Sequence, residues 1–121
     1  MLVLVFNGCG TTKTGNRVKS HTKIIFNKTD LSLISKSIIS GFVYSIDTKE
    51  FVAYTFVHIG DKIVKTNSDG FFALEVLAGN YDVKATCVGN DDGVIQNLKV
   101  DEKSRVIILF ELGNSTIKLA H

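Results

Sequence analysis

The sequence has no proline and no tryptophan, one methionine and only two cysteines in 121 residues. Two cysteines are too few for a disulfide scaffold. A chain of this length buries roughly two-thirds of the surface its unfolded form exposes, so it needs neither a disulfide network nor a metal to hold one core. It has no block of like charge: 14 Lys+Arg and 12 Asp+Glu are scattered along it, for a formal net charge of +2. That excludes a basic nucleic-acid footprint and a polybasic membrane arm. It has no long apolar run either, since Met1–Phe6 falls far short of the ~20 residues of a spanning helix. Gly-x-Ser-x-Gly, His-Glu-x-x-His, P-loop and Cys-x-x-Cys patterns are all missing, which argues against the catalytic chemistries that need grouped residues.

What is present divides the chain into four parts. In residues 1–9, an apolar run ends at Asn7-Gly8-Cys9, and a polar Gly-Thr-Thr-Lys stretch follows. This order resembles the end of a bacterial lipoprotein signal peptide, in which cleavage before the cysteine frees it to carry a diacylglycerol. Phe6 stands where Leu is usual, no basic region precedes the run, and a signal core normally needs about 7–15 apolar residues, so the signal reads as truncated. The resemblance implies lipid attachment at Cys9. Without it, the run is an N-terminal strand with a chance cysteine. Residues 10–37 read as a polar tether with a possible edge segment, anchored by Ile24, Ile25, Phe26, Leu31, Leu33 and Ile34. Asp30 suits the cap of a short helix, although the serines around it suit strand or loop equally.

Residues 38–113 read as a β domain. Seven β-rich runs, Ile38–Ile46, Val52–Ile59, Lys62–Thr66, Phe71–Leu77, Tyr81–Val88, Val94–Val100 and Ser104–Leu112, are separated by turn residues such as Asn67-Ser68-Asp69-Gly70. No helical period lies between them, which predicts a seven-stranded antiparallel β-sandwich. Alternation places Phe72, Leu74 and Val76 on one core face, with Tyr81, Val83, Ala85 and Cys87 on another. Val106, Ile108, Phe110 and Leu112 form a third. Ile107 and Leu109, on the opposite side of the last run, are apolar as well, so that strand is either covered on both faces or presents a binding face. Residues 114–121 read as a C-terminal tail.

Four segments in order, Ile39-x-Gly41-x-Val43, Val57-x-Ile59, Thr66-Asn67-Ser68-Asp69-Gly70-Phe71-Phe72 and Ala78-Gly79-x-Tyr81-x-Val83, carry a family resemblance. The stretch from Ile38 to Leu112 resembles the carboxypeptidase regulatory-like domain, a transthyretin-like β-sandwich. Leu77 stands where such hairpins often carry proline. The resemblance implies a mostly non-catalytic module. It also raises the hydrolases of 5-hydroxyisourate, which share the fold, but their C-terminal Tyr-Arg-Gly-Ser is absent and the only histidines are His21, His58 and His121.

One surface stands out. With Ile39 and Val43 facing inward, Phe42 and Tyr44 face outward; with Thr55, Val57 and Ile59 inward, Tyr54, Phe56 and His58 face outward. If their strands are neighbours, these five rings make one exposed aromatic strip, unless residues 24–34 fold over it or a one-residue shift turns the rings in. Such a strip suits a protein partner or stacking on a sugar. The expected function is a lipid-anchored, exported module that mediates protein association at the bacterial cell envelope, with the leaflet open. A glycan-binding module of an uptake or adhesion system is the alternative, which the lack of tryptophan disfavours. No cofactor or metal is expected, because the Asn67–Gly70 and Asn90–Gly93 loops lack the six or more oxygens of a calcium site and read as turns. Cys87 is left a single buried thiol if Cys9 is acylated; a Cys9–Cys87 disulfide in an exported protein is the competing reading.

Overall fold

A computed structural model describes residues 19–113. They form β1 (His21–Thr29), β2 (Ser37–Ser45), β3 (Glu50–Phe51), β4 (Phe56–Ile59), β5 (Lys62–Lys65), β6 (Phe71–Val76), β7 (Gly79–Thr86), β8 (Gly93–Val100) and β9 (Ser104–Leu112). No helix occurs among the described residues. Asp30 caps a turn, with its carboxylate accepting from the Ser32 amide at 3.0 Å and the Ser32 hydroxyl at 2.6 Å.

The strands make two sheets. In the first, β9 lies between β1 and β2, and the far edge of β2 is shared by β6, along Ser37–Phe42, and by β3, at Tyr44–Ser45. The second runs β5-β4-β7-β8. Ile39, Val43, Phe72, Val106, Ile108 and Phe110 from the first sheet meet Val57, Ile59, Val83 and Ala85 from the second in one buried cluster. The arrangement is all-β and sandwich-like. Every inward residue of β9, from Val106 to Leu112, is fully buried, as alternation predicts.

Two departures from the sequence expectation concern neighbours rather than faces. There are nine strands among the described residues, not seven: β1 forms in the stretch read as a polar tether with a possible edge segment, and the two-residue β3 at an expected turn. β1 is an edge strand, exposed along almost its whole length, with Ile24, Ile25 and Phe26 consecutive rather than alternating with polar residues. The second departure is that β2 and β9 run parallel, pairing Ile38 with Arg105 through Ser45 with Leu112. The cause is topological, because β9 inserts between two strands that are already antiparallel to each other.

Local chemistry fixes the corners. Gly70 sits at φ +79°, and its carbonyl accepts from Val43 N at 3.0 Å. Asn67 Oδ1 closes the same turn by accepting from Asp69 N at 2.8 Å and Phe71 N at 3.1 Å, which delivers Phe72 into the core. Tyr81 packs beside Gly60 and Gly79, and its hydroxyl donates to Leu77 O at 2.6 Å. At the other end, Ser20 Oγ donates to Asp91 O and accepts from Gly113 N, both at 2.9 Å.

Candidate functional site

The five predicted rings all face away from the core. Tyr54 and Phe56 are exposed, and Phe42, Tyr44 and His58 are half-buried. They do not form one strip. β2 belongs to the first sheet and β4 to the second, so the outward faces of the two strands lie on opposite sides of the protein. Alternation assigns a side chain to a face of its own strand and is silent on which strand lies alongside.

On the first sheet, Phe42 is the centre of a ring cluster that includes two residues absent from the expected strip. Its centroid is 5.5 Å from that of Phe51 and 5.2 Å from that of Phe71; Tyr44 lies 5.2 Å from Phe51. The geometries are tilted or edge-on, as ring quadrupoles prefer. Phe71 was within reach of the pattern, because Phe72 inward puts Phe71 outward. Phe51 was not, because β3 lies where a turn was expected. Across β9, Leu109 sits beside Phe42, and Ile107 beside Ser40. Ile107 and Leu109 therefore join the rings in one outward apolar patch. Residues 24–26 do not fold over it; they lie in β1, in the same layer, and Leu31 and Ile34 are exposed.

On the second sheet, Tyr54 and Phe56 border a groove of about 490 Å³ whose other walls include Thr86, Gly89, Asn90 and Asp92. Tyr54 is 64% exposed and holds φ +58°, a conformation that strongly disfavours a bulky residue. Buried Thr66 holds it there. The Tyr54 amide donates to Thr66 O at 3.2 Å, Thr66 Oγ1 accepts from Thr55 N at 2.9 Å, and the same hydroxyl donates to Val52 O at 3.0 Å. Lys65 Nζ lies 6.0 Å from the Tyr54 ring centroid. His58 lines a different depression, of about 360 Å³, with Asp82, Lys84 and Gln96.

The Asn90–Gly93 loop is tied to the end of the last strand by its nitrogens. Asn90 Nδ2 and Asp91 N both donate to Gly113 O at 3.0 Å, while Asp92 stays exposed at the rim of the groove. Among the described residues, no three His, Cys, Asp or Glu side chains group as metal ligands. The Ser32 hydroxyl and amide, then the Arg105 guanidinium 3.0 Å away, lower the Asp30 pKa to about 2.

Cys87 corrects the single-thiol expectation. Its side chain packs against the core as alternation predicts, but the residue is disulfide-bonded. The chain's other cysteine, Cys9, and with it the expected lipid attachment, lies outside the described residues. No helix among the described residues is long and apolar enough to cross a membrane. In comparisons with known proteins, the chain matches no protein-family model and no curated protein.

Proposed function

We propose that this chain is an exported, non-catalytic β-sandwich module of the carboxypeptidase regulatory-like type, and that it mediates protein association at the bacterial cell envelope. The observation that carries this reading is the outward patch of Phe42, Tyr44, Phe51, Phe71, Ile107 and Leu109, in which Phe51 is exposed and the others are half-buried. Packed aromatic and aliphatic groups on an open sheet face are what the centre of a protein interface is made of. Export is supported by Cys87, since disulfides persist in oxidising compartments. Membrane attachment through Cys9 is the alternative to a disulfide at that residue, because a sulfur in a diacylglycerol thioether cannot also complete a disulfide. Both fates of Cys9 are extracytoplasmic.

The test is expression in the native host from the longest upstream reading frame, followed by fractionation, intact mass and thiol titration. A diacylglycerol adduct at Cys9 in the membrane fraction supports the anchored form. An unmodified soluble protein that keeps Met1–Phe6 and titrates two thiols refutes export. A photocrosslinking residue at Phe51 is expected to capture an envelope protein, whereas one at exposed Leu77 is not.

A second reading, a glycan-binding module, is favoured by the groove beside Tyr54 and Phe56, which the exposed Asp92 also lines. Rings that stack on a sugar face and a carboxylate that accepts from hydroxyls are the two parts such a site needs. A sugar titration followed by tyrosine fluorescence separates the readings. Saturable quenching lost in Tyr54→Ala supports glycan binding, and no response across a broad panel removes it.

A further inference from the structure

The first sheet ends on β1, a nine-residue strand that no other described strand pairs on its outer side. Three consecutive apolar residues stand at this edge, Ile24, Ile25 and Phe26, exposed by 46, 56 and 39%. The register against β9 shifts between Ile24 and Phe26, which leaves Ile25 without an opposite residue in its own sheet. An edge strand that exposes apolar residues is a template for pairing with another strand. The remaining residues of β1 define which strand fits.

The charges on β1 are Lys23, which pairs with Glu111 of β9 at 3.3 Å, and Lys28. An antiparallel twofold centred on Ile25 sets Ile25 against itself, Ile24 against Phe26 twice, Lys23 against Asn27 and Lys28 against Thr22. Every apolar residue then meets an apolar one, and neither lysine meets a lysine. Moving the axis half a residue toward Phe26 places Lys23 opposite Lys28 twice. Moving it half a residue the other way places Lys28 opposite His21 and Lys23 opposite Phe26, and centring it on Phe26 puts Lys28 opposite Ile24. Cross-strand apolar pairs stabilise a ladder and like charges directly opposite destabilise it, so among these registers the one centred on Ile25, which alone pairs every apolar residue with an apolar one, is favoured.

We propose that β1 pairs antiparallel with β1 of a second copy of this chain, about a twofold axis through Ile25, joining the two first sheets into one continuous sheet. A single strand pair buries an area at the low end for specific interfaces, so the dimer dissociates on dilution. The full chain is to be measured by analytical ultracentrifugation over a concentration series, where the mass is expected to rise from 13.3 kDa toward twice that value. Ile25→Lys puts two ammonium groups across the axis and is expected to weaken the dimer by roughly tenfold or more. Because Ile25 is more than half exposed, its urea midpoint should match the parent. Ile25→Cys should give a disulfide between two copies of the introduced cysteine on mild oxidation, identified by peptide mass. Asn27→Cys should not, because its Cα atoms lie roughly 14 Å apart across the axis, beyond disulfide reach. A monomer at every concentration overturns the proposal, including the case in which the chain's own Met1–Phe6 segment covers the edge. So does undiminished dimerisation of Ile25→Lys, or crosslinking of Asn27→Cys as readily as Ile25→Cys.

Discussion

Gly41 is where the first sheet tolerates least. It lies opposite Ile108 in the parallel β2–β9 pair, and a Cβ added there would fall on the Ile108 carbonyl oxygen, with the carbonyl carbon at 2.9 Å and the amide nitrogen at 3.0 Å. All three are backbone atoms of a central strand, so no side-chain rotation relieves the clash. An ordinary C···O contact is about 3.3 Å, so β9 must retreat from β2 by about 1 Å. A hydrogen bond stretched by that amount is no longer made. Loss of about two ladder bonds at roughly 1 kcal/mol each, with about 1–3 kcal/mol of overpacking, gives about 3–5 kcal/mol for Gly41→Ala. A domain of this size has roughly 5–14 kcal/mol in total, so the variant loses a large share of its stability. Urea unfolding followed by far-ultraviolet circular dichroism should place its midpoint about 2 M or more below the parent's. A loss under about 1 kcal/mol at unchanged slope would refute the reasoning, since β2 and β9 could not then be packed backbone to backbone at this point.

Three further outcomes are expected. Thr66→Val removes both hydrogen bonds of a buried hydroxyl that ties Val52 to Thr55, at a cost of about 2–3 kcal/mol by the same unfolding assay. At Tyr54, φ +58° penalises any side chain, and a β-branched one most: Tyr54→Gly should hold stability within about 1 kcal/mol of the parent, whereas Tyr54→Val should lose about 1–2 kcal/mol. Asp30 is held ionised by Ser32 and Arg105, with a folded pKa of about 2 against an ordinary 3.8. A lowered carboxyl pKa stabilises the fold above the unfolded value and ceases to as pH falls through the folded one. The difference in urea midpoint between parent and Asp30→Asn should therefore be constant above about pH 5 and shrink between about pH 4 and 2; a difference that grows on acidification contradicts the assignment.

The faces of individual strands were legible because a period of two is local. Val57 and Ile59 inward, with Phe56 and His58 outward, follow from a few residues of sequence. Which strands are neighbours was not legible, because pairing is decided by the whole chain. Phe42 on β2 and Phe56 on β4 both point outward as alternation requires, yet they lie on opposite surfaces. Phe51 joins Phe42 through a two-residue strand too short to leave a pattern. The corner chemistry of Asn67-Ser68-Asp69-Gly70 was legible because Asx turns and positive φ select residues directly. The αL conformation of Tyr54 carried no such signature; Thr66 imposes it from across the β4–β5 hairpin.

β9 is an interior strand of the first sheet and also the last of the nine to be synthesised. Its two partners, β1 and β2, come from the opposite end of the described chain and have no direct ladder to each other. Until Ser104–Leu112 has left the ribosome, they face a gap that nothing else in the described chain fills. Closing it requires loops of roughly 60 residues or more, and non-local pairings of this kind fold slowly. A nascent chain built this way stays open for as long as translation lasts. Under the proposed export, that delay would keep the chain in a transportable state without a dedicated inhibitor.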